Sequence, residues 1–323
     1  MQPRKHGEAV HPTVTSFMNY IKDRYGKIGE VKMTRGKVHE YLGMKLDYSI
    51  KGKVKIDMVD YVKKDMLANF PKEELQDKSI TPANENLFKI NKHSPPLSNL
   101  KREDFHTMVA KGLFVAKRAR QELQPAIAFL CTRVQQPTKE DWGKLARMMK
   151  YLNGTQDKCL VLEYDGNKKA EWYVDAAFAV HADYRSHSGA TLSIGKGSIT
   201  AFSTKQKLNT RSSTEAELVA IDDAMSQVIW SKLFLQHQGI DDIDMTVYQD
   251  NKSAMLLEEN GRLSAGKRSR HLNIRYFFVT DMIKKGMFQV QYCPTGDMIA
   301  DFFAKPTQGG TFKKFRKLIQ NME

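Results

Sequence analysis

Glu217 lies in Ser212-Ser-Thr-Glu-Ala-Glu-Leu, where Leu218, Ile221, Met225, Ile229 and Leu233 begin to recur at helical spacing. The pattern predicts a long helix with a carboxylate beside its buried stripe, a place where lost hydration is costly unless a cation or donor meets the charge. Glu215 has a different task. With Ser212 it forms the Ser-x-x-Glu pattern of a capping box, the hydroxyl taking an orphan N–H and the carboxylate reaching back. Glu217 therefore invites a search for further acids able to share a metal. Asp175 follows the β-prone Glu171-Trp-Tyr-Val, Asp250 follows Met245-Thr-Val-Tyr-Gln, and Asp301 opens a helical segment after Phe288-Gln-Val-Gln-Tyr. A single Asp after a strand is most often a turn residue or cap. The ordered set is more specific, because two strand ends and two helices can aim four carboxylates at one point.

The segments around these acids carry a resemblance. They are Tyr173-Val-Asp-Ala-Ala-Phe-Ala, Ser186-His-Ser-Gly, Ser203-Thr-Lys-Gln-Lys, Arg211-Ser-Ser-Thr-Glu-Ala-Glu, Tyr248-Gln-Asp-Asn-Lys-Ser-Ala, His271-Leu-Asn-Ile-Arg-Tyr and Ile299-Ala-Asp-Phe-Phe-Ala-Lys-Pro. The series resembles the C-terminal part of copia-type LTR-retrotransposon polyproteins, the end of the reverse transcriptase followed by its ribonuclease H domain. That resemblance implies Asp175, Glu217, Asp250 and Asp301 as catalytic, metal-binding carboxylates. It implies a pair of Mg2+ (or Mn2+) ions as cofactors, an RNA–DNA hybrid as substrate and other parts of the polyprotein as partners. An intracellular location follows from it, cytoplasmic or nuclear or in virus-like particles.

Hydrolysis of an RNA phosphodiester needs an activated water on one side of phosphorus and stabilisation of the leaving oxygen on the other. Two hard cations supply both, and such cations prefer carboxylate oxygens. The nine His residues show no His-x-x-His or His-Glu-x-x-His spacing, which disfavours zinc. Cellular ribonucleases H carry a His before the last acid, whereas this chain has Pro294-Thr-Gly-Asp-Met, leaving Asp297 as a stand-in. Candidate nucleic-acid contacts are Lys205, Lys207 and Arg211 before the Glu217 helix, and Lys267, Arg268, Arg270 and His271 further on. Each basic cluster has an alternative as a solvated face, and His271 as a packed residue. Recognition of a hybrid would rest on shape and 2′-hydroxyl contacts.

The bulk composition agrees with a polyanionic partner. The 323 residues carry a formal charge of +14 and are 41% apolar, enough for about two domains with cores. Cys131, Cys159 and Cys293 are far apart with no Cys-x-x-Cys, which argues against a zinc site or disulfide framework. The start lacks an apolar signal core, and no run approaches the ~18 apolar residues of a membrane span, so no membrane partner is expected.

The expected fold is α/β: a ribonuclease H-like mixed five-stranded sheet with helices on both faces, preceded by a partial reverse-transcriptase palm and a helical thumb or connection segment. The boundaries are a palm remnant at 1–79, a Pro/Asn/Ser-rich linker at 80–100, the helical segment at 101–165, the ribonuclease H-like domain at 166–306 and a basic amphipathic tail at 307–323. Within the first unit a helix is predicted over 12–25. A hairpin should follow, pairing Val38 to Leu46 with Val54 to Met58, and a helix over 61–70 should close the unit. Tyr41-Leu-Gly-Met-Lys-Leu resembles the late palm, just downstream of a catalytic Tyr-x-Asp-Asp hairpin that this chain lacks. The reading is an RNA-strand hydrolase without polymerase activity. Two alternatives stay open: a non-catalytic nucleic-acid-binding remnant, and a fragment of a longer reverse transcriptase polyprotein.

Overall fold

The computed structural model describes residues 12–260 and 273–322. The chain opens with α1 (Pro12–Tyr25), at the predicted bounds but with no buried residue. The next strands correct the simple hairpin. Leu42 and Gly43 both adopt positive φ, 48° and 72°, and split the first alternating run into β1 (Val38–Tyr41) and β2 (Met44–Asp47). A two-residue turn with positive φ matches the twist of the flanking strands, so local turn geometry overrides the alternation. β3 (Lys53–Asp57) follows, then α2 (Val59–Tyr61), whose axis continues through one π turn and one 3-10 turn to Asn69. The sheet is completed by a strand the sequence reading missed. β4 (Leu160–Glu163) returns after the helices and pairs antiparallel with β3, Ile56 opposite Leu160.

The stretch expected to be an extended linker lacks regular strands and α-helices up to α3 (Asn99–Ala116), yet it is packed. Thr81, Ala83, Leu87 and Phe88 are buried, and Thr81 donates to Gln308 Oε1 at 2.9 Å. Its polar composition concealed apolar residues too few for a periodic signal but sufficient to dock an irregular chain. The helical segment continues as α4 (Gln124–Cys131), with Pro125 in its first turn, and α5 (Lys139–Gly154). Thr138 and Asp141, three residues apart, form the complete capping box, and Trp142, Leu145, Met149 and Leu152, which recur at helical spacing, are buried.

The second sheet contains β5 (Lys169–Ala177), β6 (His187–Ser193), β7 (Ser198–Lys205), β8 (Asp244–Gln249) and β9 (Gln289–Tyr292), in the order β7-β6-β5-β8-β9. β5, β6 and β7 are antiparallel, while β8 and β9 run parallel to β5. This is the mixed ribonuclease H-like sheet. Trp172 and Val174 share a core with Ala220, Met225 and Val228 of α6 (Ser213–His237) and with Val279 of α8 (Asn273–Lys284), which follows α7 (Lys252–Asn260). Leu233, assigned to the buried stripe, is 44% exposed, and Ala224 and Val228 line the contact instead.

The opposite face meets the helical segment. Ile127 and Phe129 of α4 share one core with Ala201 of β7, Phe302 and Phe303 of α9 (Asp301–Ala304), and Phe312 and Phe315 of α10 (Gly309–Gln320). Each phenylalanine removed from water there contributes about 2 kcal/mol. The same core continues to Met58, Val62 and Met66, so the helical segment is the common wall of both sheets. A polar lock reinforces it: the buried Arg120–Glu122 pair is closed by Thr155 and by Gln320 Nε2, 2.9 Å from Glu122 Oε2. Satisfied on all sides, such a pair avoids the penalty of a buried unpaired charge. The basic tail thus docks on its own chain.

Among the described residues, no helix is long and apolar enough to cross a membrane.

Candidate metal centre

β5 carries Asp175 inside the strand, opposite Gly189 of β6, two residues before its end. Period two places Trp172 and Val174 against α6 and turns Tyr173 and Asp175 the other way. Asp250 follows the last residue of β8, the neighbouring parallel strand. Glu217 comes from the second turn of α6, whose start is fixed by Ser212 Oγ accepting from Glu215 N–H at 3.2 Å. The capping box is only half formed. The Glu215 carboxylate accepts from Arg211 N–H at 2.7 Å instead of from the Ser212 amide, which still holds it at the helix entry, away from Glu217's position.

Asp175, Glu217 and Asp250 each present an oxygen, and the three lie within 4.8 Å of one another. Asp175 and Glu217 are 1% and 5% exposed. Asp175 Oδ2 and Glu217 Oε2 have no hydrogen-bond partner. Burial pushes the Asp175 carboxyl up to about 8, helped by Asp301 and Asp250 and opposed by Lys305. Burial also raises Glu217 well above the ordinary carboxylate range, with Asp175 and Asp250 adding to it, while the Ala176 amide and Lys305 pull down. Thr295 Oγ1 donates to Asp250 Oδ2 at 2.9 Å and orients it.

Asp301 stands at the rim of this trio, on the first turn of α9. Gly189 brings it there. A Cβ at Gly189 would lie 2.4 Å from Ala304 N and 2.6 Å from Phe303 C, so only glycine lets the α9 backbone rest on β6 beside Asp175. Lys305 Nζ then lies 2.5 Å from Asp301 Oδ1 and 3.4 Å from Asp175 Oδ2. Burial alone would lower the Lys305 pKa, but the Asp175 and Asp301 charges outweigh it and raise it. Both residues lie within quoted motifs, Ser186-His-Ser-Gly and Ala304-Lys-Pro, yet neither stood out. A close backbone approach and a cation reaching back one helical turn leave no periodic signal.

All donors in the cluster are hard carboxylate oxygens. Three such oxygens within 4.8 Å of one another are near enough to share divalent cations, directly or through cation-bound water. Glu217 Oε2 accepts no hydrogen bond, and Asp175 Oδ2 is met only by the Lys305 ammonium, so both oxygens suit a cation. The residues fit divalent cations of the Mg2+ or Mn2+ type.

The candidate nucleic-acid contacts are spread out. Lys205 ends β7 and is paired with Asp183 at 2.7 Å. Together with Lys117, Ser203, Lys207, Asp223 and Gln227 it lines a surface cavity of about 340 Å³. β7 is two strands from β5, about 10 Å away. Arg211 is exposed at the entry of α6. Lys267, Arg268, Arg270 and His271 lie outside the described residues. Asp297, the stand-in for a histidine, is engaged by Lys314 at 2.8 Å.

No family model matches the chain. It is 27% identical over 223 residues to the retrovirus-related Pol polyprotein from transposon TNT 1-94 of Nicotiana tabacum, covering 68% of this chain and 16% of that protein. It is 31% identical over 202 residues to the retrovirus-related Pol polyprotein from transposon RE2 of Arabidopsis thaliana, covering 62% of this chain and 14% of the relative. The chain thus spans about a sixth of the length of these relatives. Among solved structures, LC11-RNase H1 in complex with RNA/DNA hybrid aligns at 12% identity over 42% of this chain and 92% of its own, with a TM-score of 0.32. Homologues of this chain thus include retrovirus-related Pol polyproteins of plant transposons, of the copia type that its motifs resemble.

Proposed function

We propose that the carboxylate cluster makes this chain a metal-dependent hydrolase of the RNA strand of RNA–DNA hybrids. The observation that carries the reading is the convergence of Asp175, Glu217 and Asp250 within 4.8 Å, with two buried carboxylate oxygens that accept no hydrogen bond. Asp175, Glu217 and Asp250 would hold the cations and Asp301 would complete the set at the rim. Bound divalent ions would supply an activated water and charge stabilisation for the departing oxygen. The chain's own residues do the rest: Thr295 orients Asp250, and Gly189 seats Asp301 beside Asp175. Lys205, Lys207 and Arg211, with Arg268, Arg270 and His271, would meet the phosphates, and the net charge of +14 favours such a partner. Templated nucleotide addition is not expected, since the chain contains no Tyr-x-Asp-Asp. Other parts of a Pol polyprotein are proposed partners, because the relatives extend far beyond the matched segment.

The test uses the whole chain, because the shared core makes the helical segment a wall of the ribonuclease H-like sheet. With Mg2+ or Mn2+ it should cut a labelled RNA–DNA hybrid and leave single-stranded RNA and duplex DNA intact. A hybrid left whole at high protein concentration would favour the non-catalytic, nucleic-acid-binding reading instead.

A further inference from the structure

Lys305 joins two elements that sequence separates. An ordinary exposed pair four residues apart would engage Asp301 alone, as Lys285 engages Asp281. The Lys305 ammonium also reaches Asp175 on β5, so it lies across the same carboxylates that would bind a cation. Its backbone is well anchored: Lys305 N–H donates to Asp301 O at 2.9 Å, and Pro306 follows. Its side chain is not enclosed, being 42% exposed, so the ammonium has a path to water. Asp175 Oδ2, which faces it, has no hydrogen bond that would hold the carboxylate elsewhere.

We propose that Lys305 is a built-in stand-in for the divalent cation, holding Asp175 and Asp301 together in the metal-free protein and swinging toward solvent when a metal takes its place. The inference rests on the carboxylate cluster being a metal site. Lys305 is then a positioning residue that sets the threshold for metal binding: the ion must displace one positive charge before it gains the carboxylates. Without it, two buried acids and Asp301 repel one another in the empty site. With it, the cluster stays assembled, but a metal binds more weakly than the bare carboxylates would allow.

Calorimetric titration of the whole chain with MnCl2, at fixed pH and ionic strength, tests this without reference to cleavage. Lys305→Gln should bind Mn2+ roughly tenfold more tightly, a modest share of what a unit charge at this distance exerts in a partly exposed site. Lys305→Arg, which keeps the charge, should stay near the wild-type value. The metal-free Lys305→Gln protein should melt lower than wild type and gain more from Mn2+. A second readout needs no variant: in the wild-type chain, Mn2+ should increase acylation of the Lys305 amine by a lysine-reactive reagent. Equal or weaker Mn2+ binding by Lys305→Gln, binding by neither protein, or Lys305 labelling that does not rise with Mn2+ overturns the proposal. A wild-type chain that leaves hybrids intact while showing the Mn2+ effects would sink the hydrolytic reading and support the stand-in role.

Discussion

Asp47 at the end of β2 and Asp175 within β5 are both strand aspartates, yet their surroundings drive them in opposite directions. The Ser49 side chain and amide bond to Asp47, the amide at 2.8 Å, and hold its carboxyl below the ordinary range. Asp175 lies in a strand whose last four residues are all buried, and it is pushed up to about 8. The difference follows from how the sheets are covered. In the N-terminal sheet only Leu160 is fully buried among the strand residues, and α1, which precedes it in the chain, buries nothing. The five-stranded sheet has α6 on one face and α4 with α9 on the other. Charge can be stored at a raised energy only where layers on both sides exclude water. The carboxylate cluster accordingly lies on the second sheet, with none of its members on the N-terminal one.

Substitution at these two aspartates sharpens that contrast most. Asp175→Asn should lower hybrid cleavage by roughly 100-fold or more, since even outer-shell partners of a metal are worth 10–100-fold. Asp47→Asn should leave cleavage where it was. Initial rates on one labelled hybrid decide the matter. Comparable losses in both would mean that the N-terminal sheet takes part in the chemistry.

A smaller effect concerns pH. Because the folded Asp175 pKa of about 8 exceeds its ordinary value near 4, the native metal-free protein binds a proton more tightly than the unfolded chain. This group therefore makes no net difference below about pH 4. Its contribution to stability falls as pH rises toward 8 and then levels off. Glu217 is shifted the same way. Lys305, shifted up, keeps its contribution throughout this window. Asp47, shifted down, contributes at neutral pH and loses that contribution in acid. The metal-free melting temperature should thus decline by several degrees between pH 5 and 8, less so in Asp175→Asn, and saturating Mg2+ should flatten the decline because the ion prefers ionised ligands. Identical slopes in wild type and Asp175→Asn would remove the electrostatic side of the comparison.

Local signals made much of this legible. The bounds of α1, the Thr138–Asp141 box and the apolar face of α5 follow from spacing alone, because each is decided within a few residues. Asp175, Glu217, Asp250 and Asp301 stand out by their places relative to strands and helix starts; the first three converge, and Asp301 stays at their rim, joined to Asp175 through Lys305. What escaped depends on contacts between distant segments. β4 is four residues long and finds its partner β3 about a hundred residues earlier. The Gly195 and Gly197 turn, at φ near 83° and 84°, presses so closely on β4 that a Cβ on either would stand 2.4 Å from a β4 carbonyl. Phe88 leaves an irregular stretch to pack at a tilt against His181 and against His187 of β6, 4.6 and 4.8 Å between ring centroids. Lys305 reads locally as one more surface lysine, and only β5 arriving beneath it gives it a second carboxylate.

The two glutamates of α6 decide whether the cluster is the cutting site. Glu217 is placed in the cluster and Glu215 at the helix entry, so hybrid cleavage in Mg2+ should be measured for Glu217→Gln and Glu215→Gln in the whole chain, with melting temperatures beside it. Gln keeps the shape and removes the charge, and it can still accept a capping bond, so Glu215→Gln should cut nearly as wild type and lose less than about 1 kcal/mol of stability. Glu217→Gln should remain folded, melt no lower without metal, and fail to cut. Cleavage retained by Glu217→Gln and lost in Glu215→Gln would contradict the account and move the site two residues along the helix.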